Sequence, residues 1–236
     1  MSLHVDWCCS AAARHACSRW HYSGTVPVSK RASLGVWEGG AYIGAVIFAH
    51  GATPTLGRPY GLEQHEACEL ARVALRAHAA PVSRIVAVAV RLLRHRMPGL
   101  RLLVSFADPI EGHHGGIYQA MNWIYTGTTA PAYEWRHDGR RLQRRAFTGH
   151  NFGTARKKVP PGAVKVDIPG KHRYLYPLDH AIRATCEALR EPYPRQPAEG
   201  ASYPEATGGA DPTLALHFSE RDPRQDPSDD PVVPVV

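Results

Sequence analysis

The sequence predicts a mixed α/β fold: a mostly antiparallel central sheet flanked by helices, with a tail that does not join the core. Three stretches carry that prediction. Apolar runs on either side of Gly39-Gly40 in "LGVWEGGAYIGAVIFAHG" mark a tight antiparallel hairpin. In "APVSRIVAVAVRLLRHRMPG" the residues Ile85, Val88, Ala89 and Leu92 recur at helical spacing, between helix-start residues Pro81 and Ser83 and a basic end that stops at Pro98-Gly99. "LRLLVSFAD" (100–108) is a continuous apolar run of the kind buried in the middle of a sheet.

Each remaining element follows from similar cues. "SAAARHACSRW" (10–20) is alanine-rich and opens on a serine suited to capping, so it reads as a helix running straight into "WHYSG". "EACELARVAL" (66–75) alternates well enough for a strand, which makes the long helix after it a crossover between two central strands. "GGIYQAMNWIYTG" reads as a short helix with Tyr118 on its first turn and Asn122 one turn later on the same face. "AYEWRH" and "RLQRRAF" pair about Asp138-Gly139, "HRYLYPL" (172–178) is a last strand, and 179–190 is a last helix. Residues 1–190 therefore form the domain. Residues 191–236, dense in Pro, Gly and acids, hold too little apolar surface to offset the entropy of ordering and are expected to be mostly disordered.

Net charge is +7 over 236 residues, and because the tail is acidic the domain is more basic than the whole. That balance favours a polyanionic partner, and the hairpin arginines Arg136, Arg140, Arg141, Arg144 and Arg145 are the candidates to face phosphate. The five cysteines contain no CxxC pair, and no apolar run is long enough to span a bilayer, so the expectation is a reduced, cytoplasmic protein that does not enter a membrane. Cys8, Cys9 and Cys17 with His15 compose a soft metal set only on paper, since adjacent cysteines point poorly at one ion; burial is the reading preferred.

Chemistry concentrates at two junctions. Asp108 ends a buried strand, where a carboxylate is costly unless it is paired or opens into a cleft, and "EGHHGG" after it sets His113 and His114 before two glycines that let a ligand approach the backbone. His21 and Tyr22, at a helix end, add to Asp108 and Tyr118 an N/O set suited to iron or manganese, and equally suited to metal-free acid/base work. In the turn "HAAPVSR", Val82, Ser83 and Arg84 stand at a helix start, where unpaired N–H groups attract phosphate; the bland reading makes Ser83 a cap alone.

The stretches "WHYSGTVP", "GAYIGAVIFAHG", "ACELARVAL", "PVSRIVAVAVRLL", "VSFADPIEGHHGGIYQAMNWIYTG" and "HRYLYPLD" resemble, in that order and from about residue 18 to 180, the bacteriophage Mom family of DNA-modification proteins. The resemblance implies a fold like that of the GNAT acyltransferases. It also implies double-stranded DNA as partner, adenine N6 converted to a methylcarbamoyl derivative that shields phage DNA from restriction, and a location in the cytoplasm of the infected bacterium. By the same resemblance His21, Tyr22, Asp108 and Tyr118 are active-site candidates holding iron. GNAT enzymes bind acyl-CoA such as acetyl-CoA on a glycine-rich loop, whereas "HAAPVSR" has no glycine. A base in a duplex must be flipped to be modified, with Trp20, Trp123 or Tyr125 as candidate stacking surfaces. Two rival readings stay open, a GNAT-type N-acetyltransferase acting on an amine or protein and a DNA-binding protein without catalysis; a homodimer is compatible with all three.

Overall fold

The structure, a computed structural model, describes residues 2–51, 53–142, 147 and 158–195. Among the described residues, ten strands and four α-helices follow in the order β1 (Leu3–Trp7), α1 (Ser10–Trp20), β2 (Arg31–Glu38), β3 (Ala41–Ala49), β4 (Ala67–Leu75), α2 (Val82–Arg96), β5 (Leu102–Ala107), α3 (Gly116–Gln119), β6 (Ile124–Thr128), β7 (Ala132–His137), β8 (Arg140–Leu142), β9 (Val164–Ile168), β10 (His172–Pro177) and α4 (His180–Glu187). Seven strands form the main sheet in the order β1-β2-β3-β4-β5-β10-β6, and β8-β7-β9 form a second, smaller sheet. Among the described strands only β4 and β5 pair in parallel, joined by the crossover helix α2. The expected fold class is therefore the observed one.

Local chemistry explains the elements that were anticipated. Gly39 (φ 60°) and Gly40 (φ 86°) both take positive φ, the demand of the two-residue turn between β2 and β3. The apolar stripe of α2 buries Ile85, Val86, Ala89, Val90 and Leu93 on one face of the sheet, while Ala13, Ala16 and Cys17 of α1 pack on the other against Ala45, Ile47 and Ala74. The cysteine burial favoured for Cys17 is met, although Cys9 is exposed and stands as the cap of α1, which moves Ser10 inside the helix.

Three features differ from the sequence reading. The short helix α3 stops at Gln119, and Asn122 adopts a left-handed conformation (φ 57°), so the segment after it turns into β6 instead of continuing helical; Asn122 is not one turn above Tyr118. Strands β1 and β9 were not anticipated: the first is a five-residue edge strand and the second pairs only with β7. Past residue 190 the chain stays packed, because Glu191 N–H donates to Tyr125 O (2.9 Å) and Tyr193 Oη donates to Trp123 O (2.7 Å). The expected disorder of the tail beyond residue 195 lies outside the described residues.

The positioning device of the fold is a fork. β4 and β5 pair only from Ala67↔Leu102 to Glu69↔Val104, although β4 continues to Leu75. Across from β3, Ile47 faces Arg72 and Phe48 faces Leu70, so Ala71 is an extra residue that bends β4 at the point where the fork opens. Ser105 Oγ lies 2.8 Å from Leu70 O, a side chain meeting the carbonyl that a paired strand would have bonded through its backbone.

Candidate active site

Two loops meet at the open end of that fork. α1 delivers the first: its last residue, Trp20, is held edge-on to His15 (5.2 Å between centroids), tilted on Tyr42 (6.0 Å) and under the Arg76 guanidinium (5.9 Å). The chain then turns extended at His21, and the loop is tied down where Arg72 Nε of β4 donates to Thr25 O (3.2 Å). β5 delivers the second loop. Asp108 is 3% exposed and caps the following turn by accepting Ile110 N–H on Oδ1 (3.2 Å), while Lys171 Nζ lies 2.7 Å from Oδ2. That ammonium is what makes a buried carboxylate tolerable here.

The loops touch through their rings. His21 stacks on Tyr22 at 4.3 Å, and Tyr22 meets the exposed His113 edge-on at 5.5 Å. Tyr22 is 51% exposed, so it stands at the mouth of the site and not in its floor. Loss of solvent around its phenol raises its pKa; the Lys171 charge opposes the rise, Asp108 adds to it, Arg72 opposes and Glu111 adds. These four charges surround one phenol. Segments 21–22 and 108–113 thus converge, as the sequence reading required.

Tyr118 is set deeper. It is 8% exposed, its Oη lies 2.7 Å from Ser105 Oγ inside the fork, and burial pushes its pKa up to about 12. Its ring sits among Trp123 (5.1 Å) and Tyr174 (5.0 Å), forming the floor beneath the two loops. Tyr174 in turn fixes the loop above: its Oη donates to His114 O (2.5 Å) and accepts from Gln119 Nε2 (3.1 Å). Gly115, at φ 87°, lies against the Tyr174 ring so closely that any Cβ would overlap it. The glycine after the two histidines is there for this approach.

The metal reading of His21, Tyr22, Asp108 and Tyr118 does not fit this arrangement. Ser23 N–H donates to His21 Nδ1 (3.1 Å), which assigns the lone pair to Nδ1 and the proton of the neutral ring to Nε2, leaving no ring nitrogen to bind an ion. Burial, with the charges of Arg72 and His113, lowers the His21 pKa to about 4, so the ring is neutral at physiological pH. Lys171 already supplies the cation at Asp108, and Tyr118 is a buried neutral phenol. Among the described residues no group of three or more His, Cys, Asp or Glu comes together to hold a metal.

Other expectations sort similarly. Val82, Ser83 and Arg84 do open α2, but Ser83 lies within the first turn and Pro81 occupies the cap position without a side-chain bond. Just before them, Ala79 N–H and Ala80 N–H both donate to the Glu38 carboxylate at 2.8 Å. The protein's own anion thus fills part of the turn expected to hold phosphate. Trp123 (0% exposed) and Tyr125 (6%) are core, and Trp20 is packed as described, whereas Tyr22 and His113 are exposed at the mouth of the site.

On the smaller sheet, Arg141 Nε bonds Glu134 (2.5 Å) and its Nη1 bonds Glu111 (2.5 Å), while Arg136 Nε bonds Glu134 (3.1 Å). Arg141 therefore ties the arm to the Asp108 turn, Arg136 bonds only Glu134 of its own strand, and Arg140 is exposed. Arg144 and Arg145 lie outside the described residues. Lys171 and Arg72 escaped the sequence reading, since each is a single cation far from the motifs it serves.

Comparison with known proteins finds a family, and similar proteins and structures that include the following. The Mom protein family matches residues 2–195. The methylcarbamoylase Mom of Escherichia phage Mu is 28% identical over 145 residues; the match spans 58% of this chain and 60% of that protein's own length. A probable acetyltransferase from Staphylococcus epidermidis aligns with a TM-score of 0.42 at 6% identity, over 75% of this chain and all of that one. A tandem GNAT protein from the clavulanic acid biosynthesis pathway aligns with a TM-score of 0.36 at 13% identity, over 58% of this chain and 50% of that one.

Proposed function

Because the chain belongs to the Mom protein family, we propose that it is a phage DNA-modifying transferase that converts the exocyclic N6 amine of adenine to a methylcarbamoyl derivative and so protects the DNA from restriction. The observation that carries this reading is the juxtaposition of Tyr22 and His113 over a buried, cation-paired Asp108. Adenine N6 is a weak nucleophile, its lone pair delocalised into the ring, so a base must receive a proton as the new bond to N6 forms. Asp108 is that acceptor. His21 is not that base, because its Nε2 carries a proton; as a neutral donor it orients the base or the incoming carbonyl. Tyr22, half exposed and without a hydrogen bond on its hydroxyl among the described residues, offers a ring face and a hydroxyl to an extruded adenine. Arg140, exposed and next to the Arg141 that reaches Glu111, is a candidate phosphate contact.

Coexpression with a plasmid, digestion of the DNA to nucleosides and mass spectrometry tests the proposal against both rivals. A modified deoxyadenosine is the expected product. An N-acetyltransferase would instead consume acetyl-CoA with amines or proteins and leave DNA unchanged, and a binding protein would show salt-dependent DNA affinity with unmodified bases.

A further inference from the structure

The polar group nearest Asp108 belongs to none of the motifs that mark the site. Lys171 stands in the turn before β10, and its position is built with care at the backbone level. Its N–H donates to Thr129 Oγ1 (2.9 Å) and its carbonyl accepts from Thr129 N–H (2.9 Å), a two-way bond between the ends of β6 and β10. Gly170 makes it feasible: a Cβ there would run into Thr129 O, so the residue before Lys171 has to lack one. From this fixed root the side chain reaches Asp108, its ammonium 2.7 Å from a carboxylate that is 4% exposed while its own side chain is 42% exposed. An ion pair made only for stability would be a poor investment at such a place, since taking a carboxylate out of water costs more than an exposed lysine returns. The Lys171 charge also acts on the Tyr22 phenol, opposing the rise in its pKa that burial produces.

We propose that Lys171 is a positioning residue of the active site: its ammonium pairs with the Asp108 carboxylate and aims it at the mouth where Tyr22 and His113 meet. The inference rests on the proposed function and extends it to a residue outside the recognised motifs. The Arg141 charge also acts on Asp108, but its guanidinium is bonded to Glu134 and Glu111, and Arg72 bonds Thr25 O and Ala71 O, so Lys171 is the cation in direct contact with that carboxylate among the described residues.

The test combines activity with a readout independent of it. Lys171→Met is expected to cut modified deoxyadenosine by about 100-fold with DNA affinity unchanged, Lys171→Arg to keep it within about tenfold of wild type, and added propylammonium to restore part of the Lys171→Met loss. In protein carrying ring-labelled tyrosine, NMR titration is expected to show the Tyr22 phenol ionising at higher pH in Lys171→Met than in wild type. Product within about threefold of wild type in Lys171→Met would overturn the proposal. So would an equal loss in Lys171→Arg without rescue by propylammonium. Should wild type yield no modified base while the Tyr22 titration still moves, the assigned DNA chemistry fails and the placement of Lys171 stands; an unmoved Tyr22 overturns the placement itself.

Discussion

At the scale of single residues, the site depends on groups held in one protonation state and one backbone conformation. His21 is neutral because burial, Arg72 and His113 drop its pKa from 6.5 to about 4. The unfolded chain binds a proton below about 6.5 that the folded ring refuses until about 4, so this residue's share of stability is lost as pH falls through that window. His21→Gln, which cannot titrate, is expected to flatten the acid limb of a chemical-denaturation profile by on the order of 1–2 kcal/mol, a figure reduced for the ring's partial exposure. An unchanged acid limb would contradict the assignment. Gly115 is a second such residue. Gly115→Ala imposes a side chain at φ 87° and against the Tyr174 ring, and is expected to cost about 2–4 kcal/mol in urea unfolding and to displace His113 and His114.

At the scale of elements, the fork between β4 and β5 joins stability to function. Ser105 is fully buried and serves both Leu70 O and the Tyr118 hydroxyl. Ser105→Ala strands the Leu70 carbonyl without a donor, so a loss of about 1–3 kcal/mol is expected by thermal or denaturant melts, against less than 1 for a serine on the surface. Much of this architecture was legible in the sequence because the signals were local: the Gly39-Gly40 pair demands its turn, and the spacing of Ile85, Ala89 and Leu92 sets the face of α2. β4 was legible through alternation and through the crossover that must follow it. α3 was misjudged because "IYQAMNW" has a helical period while Asn122 ends the helix by a backbone choice that no period shows. β1 and β9 are short strands whose partners lie far along the chain, so they exist through pairing more than through propensity. Within the site, His21, Tyr22, Asp108 and Tyr118 could be named beforehand, but their depths could not: one stands at the mouth, one at the floor, and the cation between them comes from position 171.

At the scale of the whole molecule, charge is divided along the chain. Residues 196–236 hold eight acidic and two basic side chains, which leaves a net +13 on residues 1–195. A body with that charge attracts a polyanion from a distance, and its affinity should fall steeply as salt rises. Replacing Arg140, Arg144 and Arg145 by Ala is expected to reduce the slope of log affinity against log salt by about one per residue lost from the phosphates, whereas Arg141→Ala should loosen the Asp108 turn with the slope nearly kept. Equal slopes for all four variants would remove the arm from the DNA contact. The proposed function requires two loops, 86 positions apart between Tyr22 and Asp108, to act as one reactive site. Nucleosides from plasmid coexpressed with wild type, Tyr22→Phe or Asp108→Asn, each confirmed folded and DNA-binding, test it most directly: the modified deoxyadenosine should appear with wild type, vanish with Asp108→Asn and fall at least tenfold with Tyr22→Phe, a loss of about 1.4 kcal/mol or more in transition-state stabilisation. Undiminished product from either variant would contradict it.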